Sequence, residues 1–574
     1  MEILIDGGYM VSNLSTGFSL FLELKTPILL LLISTWAGGI ISVKLNFLEE
    51  PGHIFDYIGV FFTGILVLTG TTFLLSFLSL LSPNLFHAGS FFALIISIIW
   101  IIKYGKLRFD RRNFGYWLGV NLIFILLLLI RLPYLNNILM PGYSDSPIHY
   151  QIIKQILISS DVIHSNLSIK NILDTYYHFG FHSLTAWLSA TSDVSIDKGM
   201  SLIGQAALAL APLSVSFLTF TITKNKIGAF FSGMLAAFGW IMPAFGINWG
   251  KFPALLSLSI LPAMLGLIFQ ARKGNKYHIY LCAFLILTLT VVHTRVFVLV
   301  LLALAAIIAA NALSLPPRNT FTRSLIYSIL FAISMMPLLE NLETFYNNVA
   351  VGAFLLILMP FAFMNFPNQT TALFIFITGV WGVKLLSEIP VNPITLLDAQ
   401  FINLTLFIPL SMLGGVALAG GLKHTPRNLK PFLLFTVIIV TCYNSPWQST
   451  LKPDPCCDLY TNDDKVAFEW IQSSAKEEDL FIISTVNYKQ QHGTDAGTWI
   501  YALTEKNVNK RVFDTKWDIS TGFPNSCNSG TTDIYIYMGG KQYSFPREQL
   551  MGLNWIEIVF SHGKVSIFKV VKCQ

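Results

Sequence analysis

Long apolar runs recur along most of this 574-residue chain and constrain its fold more than any other feature. Lipid cannot satisfy exposed backbone groups, so apolar runs of about twenty residues separated by short polar loops must form helices. The runs lie at about 27–47, 57–82, 88–102, 115–131, 198–222, 227–246, 252–270, 278–292, 295–313, 323–340, 348–366, 371–387, 398–421 and 431–447. The sequence therefore predicts a polytopic α-helical membrane protein with about 13–14 transmembrane helices.

Charged residues are concentrated at the C-terminal end of the chain. Of the 37 basic and 31 acidic residues, 28 follow Thr450. The pattern predicts a soluble α/β domain at 451–574, after N-terminal helices at 1–114 and a transmembrane core at 115–450. Its predicted elements are a helix at Thr461–Ala475, strands at Leu480–Ser484 and Asp533–Met538, and a hairpin formed by Trp555–Ser561 and Lys564–Val571.

The distribution of Lys and Arg predicts how the chain crosses the membrane. Basic residues collect near positions 103–112, 224–226, 272–276, 318–323 and 423–430, which the positive-inside rule assigns to the cytoplasm. This assignment requires Tyr177–Thr191, which is too short to span, to lie along the interface. The excursion at 133–197 is then one large external loop, and the C-terminal domain lies outside the plasma membrane.

The remaining composition limits the class of partner and the redox state. The net charge of +6 comes without a Lys/Arg tract, which argues against a nucleic-acid partner. Four cysteines, Cys456, Cys457, Cys527 and Cys573, fall in the tail, and an external domain predicts disulfides among them. Since neighbouring cysteines rarely bridge each other, Cys456 and Cys457 are each expected to pair with one of the other two.

The segment Tyr143–His149 (YSDSPIH) carries an acid and an imidazole just after an apolar run. Asp145 has the chemistry of a general base that takes a proton from an acceptor hydroxyl. It is equally well placed to cap a helix predicted at Pro147–Ile158. His149 could assist the base, bind phosphate, or lie on the surface of that helix.

Other external loops present cations and acids. Lys251, Arg295 with the nearby His293, and more weakly Arg131, are candidate ligands of a donor phosphate, with snorkelling or anchoring as the alternative. Four further residues, Glu340, Glu343, His178 and His182, are candidates for contacting the acceptor or supplying a second acid.

No metal site is predicted from these residues. A divalent ion held by Asp145 with Glu340 or Glu343 stays open, as do simple solvated acids at the two glutamates. The spacing of His178 and His182 would suit zinc, but no third ligand is nearby in the sequence. In the tail, Trp499 would either stack on a sugar or belong to the core.

In this order, the motifs resemble the GT-C superfamily of membrane glycosyltransferases, which includes dolichyl-phosphate-mannose transferases and oligosaccharyltransferase catalytic subunits. The resemblance covers roughly residues 115–505 and rests on Tyr143–His149, Tyr177–His182 (YHFGFH), Asn248–Pro253 (NWGKFP), His293–Arg295 (HTR) and Asp495–Leu503 (DAGTWIYAL). The first loop lacks a doubled acid such as Asp-Asp or Asp-x-Asp, which argues against a metal-dependent mechanism.

This resemblance implies an inverting transferase that moves a sugar from a polyprenyl-phosphate donor to a lipid, glycan or protein acceptor at the outer membrane face. Two alternatives come from other classes. A transporter or flippase of lipid-linked saccharide would carry ionisable residues deep in its helices and an inverted repeat. A non-catalytic membrane subunit would tolerate loss of Asp145.

Overall fold

The computed structural model describes most of the chain and divides it into two compact units. The described residues are 2–44, 51–78, 111–159, 163, 178–270, 276–313, 321–336, 339–388, 397–443, 446–488, 490–512, 533–541, 545 and 547–571. The first unit comprises Met1–Leu135, Ile153–Ile247 and Phe252–Lys452. The second comprises Asn136–Ile152, Asn248–Lys251 and Pro453–Gln574, so two short segments of the apolar half of the sequence belong with the C-terminal domain.

The first unit is helical. Its helices up to the middle of the chain are α1 (Glu2–Glu23), α2 (Lys25–Lys44), α3 (Ile54–Phe77), α4 (Arg111–Arg131), α5 (Pro133–Asn136), α6 (Ser146–Ile158), α7 (Gly180–Ser192), α8 (Ile196–Thr223), α9 (Lys226–Phe238), α10 (Phe252–Gln270) and α11 (Lys276–Val292). They are followed by α12 (Arg295–Leu313), α13 (Phe321–Ser334), α14 (Leu339–Phe345), α15 (Val349–Asn365), α16 (Pro367–Glu388), α17 (Ala399–Thr405), α18 (Phe407–His424) and α19 (Lys430–Tyr443). The last residue of α5, Asn136, and the first turns of α6 belong to the second unit.

Eight helical segments in the described part of the chain are long and apolar enough to cross a membrane. The prediction of a mostly helical chain with several candidate membrane spans is confirmed, while its polytopic insertion and the full count of 13–14 spans stay predictions. The run at 88–102 and the part of the basic stretch at 103–110 lie outside the described residues. Shorter apolar helices, among them α9, α13, α15 and α19, account for other predicted runs.

Helices α8, α10 and α18 form the interior of the first unit. The most apolar stretches of α8 and α10 are 83% and 89% buried, and the span that contains α18 is 100% buried. Helices α9 and α18 approach so closely that a Cβ on Gly415 would lie 2.2 Å from the carbonyl oxygen of Gly228. Small residues thus permit the close backbone contact that holds helices together in lipid.

Helix α7 covers most of the segment predicted to lie along the interface. Its thirteen residues span about 20 Å, less than the ~30 Å core of a bilayer. Residues 180–189 are buried, and the helix packs against α2, α3 and α8. The length agrees with a helix that does not span, and its placement along the interface stays a prediction.

The C-terminal domain is α/β, as predicted. Its sheet has the order β2-β1-β4-β6-β5, with β3 added beside β1. The strands are β1 (Leu480–Tyr488), β2 (Gln490–Gly493), β3 (Asn507–Val512), β4 (Ile534–Met538), β5 (Ile556–His562) and β6 (Val565–Val570), accompanied by helices α20 (Asn462–Ser474), α21 (Ile500–Thr504) and α22 (Arg547–Met551). The predicted helix, first strand and closing hairpin are confirmed, whereas β2 and β3 were not foreseen.

Local chemistry explains how α20 begins and where it packs. Thr461 and Asp464 form a capping box at its start. The hydroxyl of Tyr537 on β4 donates a hydrogen bond of 2.5 Å to the buried Asp464 carboxylate, which fixes α20 on the sheet. Burial raises the pKa of Asp464. Trp499 is fully buried in the same core, so its ring is a packing residue.

The predicted orientation can be measured with single cysteines at exposed positions. We expect Lys226→Cys, at the start of α9, and Glu477→Cys, in the C-terminal domain, to react with a membrane-impermeant maleimide from opposite sides of the membrane. The labelling uses intact cells and inverted vesicles, with the unsubstituted protein as the control for native thiols. Labelling of both from one side would refute the predicted orientation.

Candidate active site

The acid of the first loop and a lysine from a distant loop form an ion pair within the second unit. Asp145 lies directly before α6, and Lys251 directly before α10. The Lys251 ammonium group donates to the Asp145 carboxylate at 2.6 Å. The side chains of Lys251 and Asp145 are 25% and 23% exposed, so the pair is accessible to a ligand while largely shielded from water.

Both loops adopt a left-handed backbone conformation beside the ion pair. Tyr143, two residues before Asp145, has φ +64°, and Gly250, one residue before Lys251, also has φ +64°. For a bulky residue such as Tyr143 this conformation costs energy and persists only where the surroundings impose it. Such strain is concentrated at functional sites, which makes the loops candidates for one.

Hydrogen bonds within the second unit hold both loops on the C-terminal domain. The backbone N–H of Tyr143 donates to the carbonyl oxygen of Cys457 at 2.7 Å. The backbone N–H of Asp454 donates to the side-chain oxygen of Asn248 at 3.1 Å. One turn, Asp454–Cys457, therefore positions the loop of Asp145 and the loop of Lys251 together.

The disulfide in this turn differs from the predicted pairing. Cys456 and Cys457 are bonded to each other, although neighbouring cysteines were expected to bridge elsewhere. The turn brings the two thiols together: the amide of Cys457 donates to the carbonyl of Asp454, and the amide of Cys456 donates to the Asp454 carboxylate at 2.9 Å. Cys527 and Cys573 lie outside the described residues.

His149 is a buried, neutral group near the ion pair of Asp145 and Lys251. Burial lowers its pKa to about 4; Asp145 raises the pKa, while Lys251 lowers it. A hydrogen bond joins His149 to the backbone of Gly250 and thus connects α6 with the lysine loop. Because the ring is uncharged at neutral pH, it suits the role of orienting the loops better than that of a cationic phosphate ligand.

Sequence reasoning missed His492 in this site. The residue lies on β2, and its Nδ1 is 3.0 Å from the Ser144 hydroxyl oxygen. Its ring centre is 5.6 Å from that of Tyr143. Burial lowers the pKa of His492, whereas Asp145 raises it. The available signal was its position three residues before the Asp495–Leu503 motif.

Asp495 itself holds the backbone of the C-terminal domain. Its carboxylate accepts hydrogen bonds of 2.9 Å from the amides of Gly497 and Gly539. The side chain is completely buried. This part of the motif therefore supports the fold beneath β2 and does not present an acid to a ligand.

A second polar cluster belongs to the first unit. Arg295, at the start of α12, donates to the carboxylate of Asp398, which caps α17. The guanidinium carbon of Arg295 lies 5.9 Å from the ring centre of Phe401, on which the imidazole of His293 stacks at 5.0 Å. Asp398 was not foreseen as the partner of Arg295.

Further predicted residues fall in or near this second cluster. The ring of His178 is 4.4 Å from that of His293 and 6.4 Å from that of His182, which is buried in α7. Arg131 is buried at the end of α4 and donates to the Thr450 hydroxyl at 2.7 Å. This hydrogen bond gives Arg131 a structural role in anchoring the helix.

Glu340 and Glu343 belong to α14. Glu343 is exposed, in agreement with the interpretation as a solvated acid. Within the residues that the structure describes, no three His, Cys, Asp or Glu side chains group closely enough to hold a metal ion.

Part of the chain matches one protein family, and the function of that family is unknown. Residues 115–386 match a model described as "Family of unknown function (DUF6541)". The matched region includes Asp145, His149, Lys251 and Arg295 and ends before Asp398 and the C-terminal domain. No curated protein matches the chain.

The glycine beside Lys251 gives a direct test of how the loops are built. A Cβ on Gly250 would lie 2.6 Å from the Ser146 hydroxyl, which itself donates to the carbonyl of Gly142. We expect Gly250→Ala to destabilise the protein by about 1–3 kcal/mol, since the residue also needs a positive φ. Thermal unfolding in detergent, followed by tryptophan fluorescence, measures the change.

The matched control for this test is Gly352→Ala in α15, where a new Cβ meets no atom within 4 Å. That variant should leave the melting temperature unchanged or raise it slightly, because alanine is the better helix former. Equal melting temperatures for Gly250→Ala and the unsubstituted protein would contradict the constraint at Gly250.

Proposed function

We propose that the protein is a membrane glycosyltransferase that moves a sugar from a polyprenyl-phosphate donor to a hydroxyl-bearing acceptor. The observation that carries the proposal is the half-shielded pair of Asp145 and Lys251, held 2.6 Å apart by two backbone-constrained loops. A carboxylate beside a fixed cation combines a proton acceptor with a ligand for an anionic leaving group. Glycosyl transfer from a lipid phosphate needs both.

The reaction assigns one step to each group. The acceptor oxygen forms a bond to the anomeric carbon while the bond between that carbon and the phosphate oxygen breaks. Asp145 takes the proton of the attacking hydroxyl, and polyprenyl phosphate leaves with the bonding electron pair. Lys251 stabilises the charge that grows on the phosphate. Attack from the face opposite to the leaving group inverts the anomeric configuration.

The surrounding residues have positioning roles in this proposal. His149 and Asn248 tie the loops of Asp145 and Lys251 to each other and to the C-terminal turn. His492 hydrogen-bonds to Ser144 and thereby borders the acid from the side of β2. These uncharged groups shape a site in which the charges of Asp145 and Lys251 dominate.

Arg295 is proposed as a phosphate ligand within the first unit. Its pairing with Asp398 keeps the guanidinium fixed, and a phosphate would compete for the same donors. His293 packs on the same Phe401 ring as Arg295, and the ring of His178 lies 4.4 Å from that of His293, so the imidazoles would extend the polar surface for a phosphate. Glu343, which is exposed, stays a candidate for contacting the acceptor.

The experiment that tests the proposal is transfer from a defined donor. Purified full-length protein in detergent is incubated with polyprenyl phosphates that carry a radiolabelled hexose, and with membrane extracts as the source of acceptor. We expect label to move from the polyprenyl carrier to a new product. Absence of transfer, together with movement of the intact labelled lipid across proteoliposome membranes, would favour the transporter or flippase alternative.

A further inference from the structure

A large cavity in the first unit lies at the opposite end of α12 from Arg295. It has a volume of about 680 Å³, within the range of about 300–1,000 Å³ that is usual for ligand sites. Asn311 lines it, and the sixteen helical steps from Arg295 to Asn311 correspond to about 24 Å of helix. The cavity is therefore separate from the cluster around Arg295.

The inner wall of the cavity is apolar. Helices α8, α10, α12, α16 and α18 supply it with Leu218, Leu261, Ala303, Ile307, Phe376 and Met412. Along α10 the lining extends from Leu261 to Gln270, which corresponds to a depth of about 14 Å. A slot of this depth between membrane-spanning helices suits a hydrocarbon chain.

The mouth of the cavity is polar, and it is formed by one set of helix ends. Lys224 caps the C-terminus of α8, and Gln270 ends α10. Asn368 and Gln369 lie in the first turn of α16, and His53 caps the N-terminus of α3. Lys224, Gln270, Asn368 and Gln369 can donate to oxygen atoms at this end, whereas the interior is mainly hydrocarbon.

Lys224 is the cation of this mouth. It is exposed, its ammonium group lies 5.7 Å from the ring centre of Phe220, and it has no ion-pair partner among the described residues. The nearby acid Asp56 accepts from the amides of Gly52 and His53 at 3.0 and 3.1 Å and forms a capping box with His53. These bonds hold the Asp56 carboxylate at the start of α3, and the Lys224 ammonium group stays available to an anion.

We infer that this cavity binds a membrane lipid with a phosphate head group, whose chain enters between α10, α12 and α18. The head group contacts Lys224 and the carboxamide of Gln270, and it can take the second N–H of the Gln369 carboxamide, which also donates to the carbonyl oxygen of Ile222 at 3.1 Å. The inference goes beyond the proposed glycosyl transfer and does not depend on it. The site lies at the helix ends where the basic loops collect, so the positive-inside rule places it at the cytoplasmic leaflet.

Native mass spectrometry of the full-length protein tests the inference. The protein is released from detergent micelles after titration with dipalmitoyl phosphatidic acid, with phosphatidylcholine as the zwitterionic comparison. We expect one phosphatidic acid to bind in preference, and Lys224→Gln to weaken that binding at least tenfold, because a charge-assisted phosphate contact is lost. Lys226→Gln, an exposed lysine two residues away that does not line the cavity, is the matched control and should bind as the unsubstituted protein does.

A second variant tests the chain-binding wall. Ala303→Leu should also reduce binding, because its side chain would occupy the cavity, while the melting temperature shows whether the fold is kept. Equal binding of both lipids, or unchanged affinity in Lys224→Gln, would overturn the inference. If millimolar inorganic phosphate displaced the lipid, the inference of a lipid ligand would be wrong and a soluble phosphate compound would be the ligand. Asp145→Asn should bind phosphatidic acid normally, which keeps this test independent of the sugar-transfer assay.

Discussion

Replacing Asp145 with asparagine is expected to reduce sugar transfer by roughly a hundredfold or more, the scale of a lost general base. The amide has nearly the same shape as the carboxylate and can still accept a hydrogen bond from Lys251, but it cannot take a proton. Because asparagine also caps helices about as well as aspartate, the start of α6 should be preserved. The melting temperature should therefore stay close to that of the unsubstituted protein.

The measurement is transfer of radiolabelled hexose from polyprenyl phosphate in detergent, with a melting curve for each variant. Asp145→Ala serves as the comparison, since it removes both the base and the partner of Lys251. If the residue acted only as a cap, Asp145→Asn would transfer normally and only Asp145→Ala would lower the melting temperature. Full transfer by the asparagine variant would remove Asp145 from catalysis.

Substitutions of Lys251 should show whether its positive charge contributes to donor binding. We expect Lys251→Met to weaken binding of the polyprenyl-phosphate donor by about tenfold to a hundredfold, since a charge-assisted contact with phosphate is worth about 1.5–3 kcal/mol. Methionine keeps the length of the side chain but leaves the Asp145 carboxylate without its partner. Lys251→Arg restores the positive charge and should recover part of the lost affinity.

Donor affinity is measured by equilibrium binding of a labelled polyprenyl phosphate to the purified protein. The control is Lys452→Met, an exposed lysine in the chain segment that leads to the C-terminal domain. Unchanged affinity in Lys251→Met would identify Lys251 as an anchoring residue only. A lower melting temperature would show that a variant loses affinity because it unfolds. Recovery of affinity in Lys251→Arg would show that the loss in Lys251→Met comes from the missing phosphate contact.

The helical class and the C-terminal elements were predictable because they depend on local patterns. Apolar runs report helices directly, and the capping pair Thr461 and Asp464 marks the start of α20. The short strands β2 and β3 were missed because they gain their hydrogen bonds from β1, and neither has an alternating pattern of its own. Pairing of that kind is set by tertiary context.

Residues of the candidate site were predictable as chemical types but not as partners. Asp145 and Lys251 stand out in their loops, yet their contact depends on a turn at Asp454–Cys457, far along the chain. The disulfide prediction failed for a different reason, since a local turn brings the adjacent thiols together. His492 and Asp398 gave weak signals, because single polar residues in a strand or at a helix start are common.

The composition of the second unit sets an order for its assembly during biosynthesis. The ribosome completes Asn136–Ile152 and Asn248–Lys251 long before it reaches Pro453, yet the hydrogen bonds of Tyr143 and Asn248 to the turn at Asp454–Cys457 form only with the last part of the chain. Until the ribosome has passed Cys457, the two loops lack the turn that holds them. A chain that stops before Pro453 would contain both the acid and the lysine but would lack the turn whose hydrogen bonds position their loops.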